Sequence, residues 1–126
     1  MTQHGVFYWN ELMTRDTGAA KTFYAETLGW TYDEMPMSDG SGTYVVAKTG
    51  DTMAGGFFPM NGAEYDGLPE HWMAYIAVDD IDARVAKAEA NGATLMRPVF
   101  DVPGVGRIAM IKQPGGAMIG WMTPTD

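Results

Sequence analysis

The chain of 126 residues has no cysteine and little positive charge. Without cysteine it can form no disulfide bond, no thiolate nucleophile and no Cys-bound zinc or iron-sulfur site. Eight Lys and Arg residues stand against sixteen Asp and Glu residues, which gives a formal net charge of −8. This balance opposes binding to nucleic acid phosphates or to an anionic membrane, so we expect neither as a partner.

Long apolar runs and catalytic serines are also missing. No apolar segment approaches the length of a membrane span, and the N-terminus has no basic region followed by an apolar core. Ser38 and Ser41 are the only serines and share one predicted turn with no histidine nearby in sequence, which disfavours a serine triad. These absences make a cytoplasmic protein the expectation. We expect one domain over residues 1–126, because a chain of this size buries roughly two thirds of its unfolded surface.

The second half of the sequence repeats the first. Asp16 and Asp80 are 64 positions apart, and Gly55 and Gly120 are 65 positions apart. A repeat of this kind indicates two copies of one supersecondary unit, neither of which can bury its apolar face alone. We therefore expect module one at residues 6–60, a linker at 61–70 and module two at 71–123, with a binding site formed between the modules.

Each module has the pattern of a strand, a helix and three more strands. Asp16 and Asp80 are predicted helix N-caps, and Gly29 and Gly92 are predicted helix stops. The spacing of apolar residues and turn residues predicts helices at 18–27 and 81–91, and strands at 7–14, 31–35, 43–48, 53–58, 72–78, 95–100, 106–112 and 117–122. A turn is predicted at 38–42.

These residues also carry a family resemblance. The pattern Asp16-x6-Phe23-Tyr24-x3-Leu28-Gly29-Trp30 resembles the first-helix signature of the vicinal oxygen chelate superfamily, and the segments 78–83 and 111–116 resemble its second module. That superfamily includes glyoxalases, extradiol dioxygenases and bleomycin-resistance proteins. The resemblance implies an α+β fold of two tandem βαβββ modules whose curled sheets form a cup.

In metal-dependent members of that superfamily, the resemblance implies ligands on the first and last strand of each module, normally His or Glu. The matching positions here are Trp9, Met73, Gly55 and Gly120, and none has a side chain that binds a divalent cation. Shifting the match by one residue recovers no His and Glu set. We therefore expect no metal and no cofactor.

Glu11 is the candidate catalytic residue. Strand alternation places Trp9 and Glu11 on one face of the first strand, and Met73 and Tyr75 on the matching face of the second module. A carboxylate among these apolar side chains loses hydration, which would raise its pKa toward the range of a general base. The alternative is a buried hydrogen bond or an ion pair, for example with Arg15 or Arg107.

The other candidate residues would contact a ligand. His71 lies two residues before Met73 and serves either as an acid, base or ligand contact, or as a rim residue. Arg107 either binds an anionic ligand group or is a solvated edge-strand charge. Gly55 and Gly120 either admit a ligand close to the backbone or leave room for tryptophan side chains.

The sequence thus predicts a metal-free protein that binds a small apolar or aromatic molecule in the cup, with Trp9, Met73, Tyr75, Gly55 and Gly120 as walls. Glu11 and Arg107 would supply polar contacts. The alternatives are an enzyme, either an isomerase or lyase with Glu11 as base or a lyase or dioxygenase with an atypical metal site, and a module whose cup is filled by side chains. A homodimer is expected from the resemblance.

Overall fold

The computed structural model describes residues 3–37 and 40–125. Ser38 and Asp39, in the predicted turn at 38–42, lie outside these residues. The described chain forms an α+β fold, as the resemblance implies, and divides into a first unit of residues 10–72 and a second unit of residues 3–9 and 73–125. Its elements are β1 (Phe7–Thr14), α1 (Thr17–Leu28), β2 (Thr31–Pro36), β3 (Thr43–Thr49), β4 (Thr52–Pro59), a 3-10 helix (Ala63–Tyr65), β5 (His71–Ala77), α2 (Ile81–Ala90), β6 (Thr94–Leu95), β7 (Phe100–Val102), β8 (Gly106–Lys112) and β9 (Met118–Pro124).

The strands of the first unit are ordered β2-β3-β4-β1. β2 and β4 both pair antiparallel with β3, whereas β1 pairs parallel with β4. This parallel pairing places Glu11 opposite Gly56 and Leu12 opposite Phe57. A parallel pair needs a crossover connection, and the segment from α1 to β3 supplies it.

The second unit repeats this arrangement, with the strand order β5-β9-β8-β6 and with β7 paired to β8. β5 runs parallel to β9, which places Tyr75 opposite Gly120. The backbone groups of Gly5 and Val6 bond to Ala77, so residues before position 10 pack with the second unit. The predicted start of module one at residue 6 therefore differs from the boundary of the compact unit.

The predicted helix caps are confirmed. Asp16 accepts a hydrogen bond from the Ala19 amide at 2.9 Å, and Asp80 accepts one from the Ala83 amide at 3.2 Å. Gly29 ends α1 in the left-handed conformation at φ 75°, which costs glycine little. In the described part of the chain, neither helix is long and apolar enough to cross a membrane.

One predicted strand is divided in the structure. The segment 95–100 was expected to be continuous, but β6 ends at Leu95 and β7 begins at Phe100. Pro98 lies in the interruption, and proline has no amide proton to donate to a ladder. The chain therefore leaves β8 and returns to it beyond the proline.

Each unit buries its own core between its helix and its sheet. In the first unit, Val45, Ala47 and Phe57 are buried, with Leu12, Ala20, Tyr24, Trp30 and Tyr32 packed against them. In the second unit, the buried residues are Val78, Ile81, Val85, Ala109 and Ile111, surrounded by partly buried side chains such as Ile76 and Trp121. The two cores are of different composition: aromatic in the first unit and mainly aliphatic in the second.

The predicted linker at 61–70 contains the 3-10 helix and is fixed to the end of β1. Arg15 donates hydrogen bonds to the carbonyl oxygens of Tyr65 and Leu68 at 2.6 and 2.8 Å. The buried Thr14 hydroxyl and the Arg15 amide donate to the Glu70 carboxylate at 2.5 and 3.1 Å. These two donors lower the pKa of Glu70, because they stabilise its charged form.

We expect Phe57→Ala to destabilise the first unit strongly. Phe57 is fully buried, and its ring lies 5.7 to 6.4 Å from the rings of Tyr32, Tyr24, Trp72 and Trp30. Removing such a side chain costs about 3 to 5 kcal/mol. Phe23→Ala is the matched control, since Phe23 is 58% exposed and should cost less than about 1 kcal/mol. Urea unfolding measures both free energies, and equal losses would contradict the described core.

We expect Glu70→Gln to reduce stability at neutral pH and to have less effect in acid. The folded pKa of Glu70 lies below its ordinary value of 4.5, so its stabilising contribution is present above that pH. It is lost as the pH falls through the lower folded pKa. Urea unfolding of both proteins between pH 7 and pH 3 should show the free-energy difference shrinking below about pH 4.5. In a Thr14→Val background this pH dependence should weaken; an unchanged dependence would contradict the bond to Thr14.

Candidate functional site

Glu11 is a buried carboxylate on β1 of the first unit. Its neighbour Leu12 packs into the core beside α1, so strand alternation directs Glu11 to the opposite face of the sheet. The residue is only 9% exposed. Carboxylates are rarely buried unless they are paired, which identifies Glu11 as a position whose partners need explanation.

Tyr44 on β3 is a hydrogen-bond partner of Glu11. Its hydroxyl donates a hydrogen bond to Glu11 Oε2 at 2.8 Å. To make this bond, the tyrosine side chain crosses β4 at Gly56, where an added Cβ would overlap the Tyr44 hydroxyl and lie 2.8 Å from its Cε2 atom. Gly56 is therefore the gap that allows a tyrosine on one strand to reach a carboxylate two strands away.

The second unit has a related arrangement at the equivalent positions. Tyr75 takes the place of Glu11, and its ring lies over Gly120, where an added Cβ would overlap the ring. The Tyr75 hydroxyl contacts Met110 Sδ at 3.9 Å. Both units thus cover a strand glycine with a tyrosine ring, and in the first unit the tyrosine hydroxyl bonds to the Glu11 carboxylate.

The strand register corrects the predicted pairing of glycines. Glu11 and Tyr75 are 64 positions apart, and their partners Gly56 and Gly120 are also 64 positions apart. Gly56, rather than Gly55, is therefore the equivalent of Gly120. The spacing of 65 in the sequence arises because Gly55 lies one residue before Gly56, just after an irregular pairing of β3 with β4 between Ala47 and Lys48.

Gly55 has a different environment from Gly56. A Cβ at Gly55 would lie 2.9 Å from the Asn10 carbonyl oxygen and 3.7 Å from the Trp72 ring. The close approach here is to the backbone of β1, and the Trp72 ring lies at an ordinary contact distance. A role of Gly55 in ligand binding stays a prediction.

The residues present do not fit the divalent metal that the resemblance implies for metal-dependent members. Met73 is buried, Trp9 is half-buried, and Gly120 is covered by the Tyr75 ring. Across residues 3–37 and 40–125, no three His, Asp or Glu side chains come together in a group that could hold a metal ion. We therefore derive no chemical step through a metal.

Arg107 pairs with two carboxylates of the second unit. Its guanidinium donates two bonds of 3.0 Å to Asp82 and one of 3.0 Å to Asp101. These contacts raise the pKa of Arg107 and lower the pKa of Asp82. An anionic ligand group would have to compete with both carboxylates, and ligand binding by Arg107 stays a prediction.

Two of the remaining sequence candidates, His71 and Arg15, have hydrogen-bond partners in the segment 65–69. His71 Nδ1 is 2.7 Å from the Pro69 carbonyl oxygen, at the start of β5. Arg15, proposed as an ion-pair partner of Glu11, instead binds the linker carbonyls. Roles for His71, Trp9, Met73, Tyr75 and Gly120 in ligand binding stay predictions.

Sequence reasoning missed Tyr44 and Gly56. The Gly55-Gly56 pair inside a predicted strand was a signal of close approach, but choosing between the two glycines requires the register of β4 against β1. Tyr44 is 33 positions from Glu11 and belongs to another strand. No local pattern connects these two residues.

We expect Gly56→Ala and Tyr44→Ala to be strongly non-additive. The new methyl group of Gly56→Ala displaces Tyr44 from Glu11, and crowding of this kind costs about 1 to 3 kcal/mol. In the Tyr44→Ala background the clash is gone, so the second change should cost under about 1 kcal/mol. A double-mutant cycle of urea unfolding energies measures the coupling, and Gly120→Ala with Tyr75→Ala is the matched cycle in the second unit. Additive energies in the first cycle would contradict the crossing.

Comparison with known proteins gives relatives of about twice this length. The chain is 39% identical over 118 residues to a putative glyoxylase, CFP32, of Mycobacterium bovis, a match that covers 94% of this chain and 45% of that protein. It is 28% identical over 121 residues to the anthracycline biosynthesis protein DnrV of Streptomyces peucetius, covering 86% of this chain and 43% of that protein. The chain thus spans about half the length of the curated relatives it matches.

A solved structure supports the same fold. Methylmalonyl-CoA epimerase from Mycobacterium tuberculosis superposes with a TM-score of 0.66 at 17% identity, over 100% of this chain and 93% of the epimerase chain. At this identity the likeness concerns the fold alone. A family model also matches residues 6–120, nearly the whole sequence. Taken with the repeated βαβββ order of both units, this match shows that the chain belongs to the Glyoxalase/Bleomycin resistance protein/Dioxygenase superfamily.

Proposed function

We propose that this protein binds a small, mostly aromatic or apolar organic molecule through a hydroxyl group that interacts with Glu11 and Tyr44. The observation that carries the proposal is the buried Glu11 carboxylate, held at 2.8 Å by the Tyr44 hydroxyl on the sheet face away from α1. Binding sites for small molecules are mainly apolar with a few fixed polar groups, and this pair is fixed by the backbone gap at Gly56. Ligand binding needs no metal in this scheme.

The surroundings of the pair favour such a ligand. Val46 lies opposite Gly56 on β3, and the buried Met13 follows on the same face of β1 as Glu11. These apolar side chains would contact the ligand body while the carboxylate accepts a hydrogen bond from the ligand hydroxyl. A molecule without a donor would not form this hydrogen bond and would bind more weakly.

The relatives are compatible with small-molecule chemistry. One is named a putative glyoxylase and another an anthracycline biosynthesis protein, and both names refer to small organic compounds. Since the chain covers less than half of either protein, their activities do not transfer to it directly. We use them only to favour an organic ligand over a macromolecular partner.

A second function, proton transfer, is favoured by the same Glu11 and Tyr44 contact. A carboxylate in an apolar site is a suitable general base for a carbon acid. Glu11 would take the proton from a carbon next to a carbonyl group, leaving an enolate, and would return it to the same carbon or, in a conjugated dienolate, to the far end of the conjugated system. The reaction would be an isomerisation, with no net change in atoms or electrons. Tyr44 would position the carboxylate.

We expect the protein to bind 2-naphthol and to bind 2-methoxynaphthalene, which has no hydroxyl donor, at least about tenfold more weakly. A hydrogen bond to a charged acceptor contributes about 1.5 to 3 kcal/mol, which is roughly tenfold or more in the dissociation constant. Glu11→Gln should weaken 2-naphthol binding by about tenfold and leave 2-methoxynaphthalene binding unchanged. Isothermal titration calorimetry measures the dissociation constants of both ligands for the wild type and for Glu11→Gln.

Asp33→Asn provides the control, since Asp33 is an exposed carboxylate on β2 of the same unit, paired with Lys48. It should change neither constant. Equal affinities of the wild type for both naphthalenes, or a Glu11→Gln variant that is folded and binds 2-naphthol normally, would overturn the binding proposal. Incorporation of solvent deuterium into a bound ketone by the wild type but not by Glu11→Gln would favour proton transfer over binding alone.

A further inference from the structure

A cavity of about 330 Å³ lies between α2 and the sheet of the second unit. It is on the helix side of that sheet, whereas Tyr75 and Gly120 belong to the opposite side. The walls are mainly apolar, with Phe7, Ile76, Ala88, Ile119 and Trp121 among them. A neighbouring cavity of about 370 Å³ shares Ile76, Ala88, Asn91 and Trp121 with it, so the two form one groove, here called the α2 groove.

The internal repeat explains why the α2 groove is open. Ala88 lies eight positions after the N-cap Asp80, and Tyr24 lies eight positions after the N-cap Asp16. In the first unit, the Tyr24 ring fills this place and packs 4.8 Å from Trp30 and 5.9 Å from Phe57. Trp121 is the counterpart of Phe57, since it lies opposite Ile76 as Phe57 lies opposite Leu12. With alanine in place of tyrosine, the floor of the groove is left uncovered.

The ionisable residues that line the α2 groove in the described part of the chain are all basic. They are His4, Arg84 and Lys87, with no Asp or Glu among the described lining residues. This is notable in a chain with a net charge of −8. Two of these residues contact Asp79. The Arg84 guanidinium donates two hydrogen bonds of 2.9 Å to the Asp79 carboxylate. His4 Nδ1 accepts a hydrogen bond of 3.1 Å from the Asp79 amide and lies 3.5 Å from the Asp79 carboxylate.

Lys87 is the basic group that remains for a ligand. Among residues 3–37 and 40–125, the Lys87 ammonium forms no ion pair. The side-chain amide of Asn91 donates a hydrogen bond to the backbone carbonyl oxygen of Lys87. Lys87 is exposed and lines the groove together with Ala88 and Trp121. A cation at the rim and an apolar floor together match a molecule with an anionic head and an apolar body.

We propose that the α2 groove is a second ligand site, distinct from Glu11, that binds a small amphipathic carboxylate. The apolar part lies on Trp121 and Ile76 in the space left by Ala88, and the carboxylate pairs with Lys87. This site is independent of the proposed function, because it uses the other face of a sheet in the other unit. Loss of one site would leave the other intact.

The test uses octanoate, with 1-octanol as the neutral probe of the same length. The side-chain NH signals of the four tryptophans are followed by NMR in the whole protein, and a Trp121→Phe variant assigns the Trp121 signal. Octanoate should shift the Trp121 signal in a saturable manner and leave that of Trp72 unchanged. A titration without a saturable shift at Trp121 would overturn the proposal.

Two variants separate the apolar and the charged contribution. Ala88→Tyr introduces the side chain that the first unit has at the equivalent position. It should weaken the binding of both probes at least tenfold and leave the melting temperature unchanged. Lys87→Gln should weaken the binding of octanoate about threefold, as expected for the loss of an exposed ion pair, and leave the binding of 1-octanol unchanged. Lys112→Gln, an exposed lysine outside the groove, is the matched control and should affect neither probe.

Several outcomes of these variant experiments would contradict the proposed site. If folded Ala88→Tyr binds octanoate normally, the groove is not the site. If Ala88→Tyr does not fold, Ala88→Leu provides the same steric test with a smaller side chain. If Lys87→Gln weakens both probes equally, or neither, the assignment of the carboxylate to Lys87 is wrong. Octanoate binding that persists in Glu11→Gln separates this site from the proposed one.

Discussion

The parallel pairing of the first strand with the last strand of each module is the constraint on which the rest of the structure depends. It places Glu11 beside Gly56 and Tyr75 beside Gly120. A glycine in the middle of a strand is normally unfavourable, but here it leaves room for a tyrosine ring to pass over the backbone. The hydrogen bond from Tyr44 to Glu11 follows from this pairing, because the Tyr44 side chain reaches Glu11 across the strand that carries Gly56.

The two units use one backbone plan with different side chains on each face. On the face away from the helix, the first unit has a carboxylate and a phenol, whereas the second has a phenol and a thioether. On the helix side, the first unit is filled by Tyr24, and the second is left open at Ala88. The two units therefore share strands and helix caps, which hold the backbone, while the side chains on the two faces of their sheets differ.

Local patterns in the sequence predicted most of the fold. The caps Asp16 and Asp80 and the stop at Gly29 lie where the turn chemistry placed them, because capping depends on residues within one helical turn. The division of the predicted strand at 95–100 was missed although Pro98 was visible, since the apolar residues around the proline suggested continuity. For the candidate site, the sequence identified Glu11 as unusual but did not identify Tyr44 as its hydrogen-bond partner.

What the sequence alone determined is the repeat, the order of elements and the absence of metal-binding side chains at the matching strand positions, because each depends on residue type and spacing along the chain. What only the tertiary structure decided is the choice of Gly56 over Gly55, the bond from Tyr44 to Glu11, and the engagement of Arg107 by Asp82 and Asp101. These depend on strand register, which a single irregular residue shifts, and on contacts between residues far apart in the chain. The spacing of residues along the chain specifies neither the strand register nor these long-range contacts.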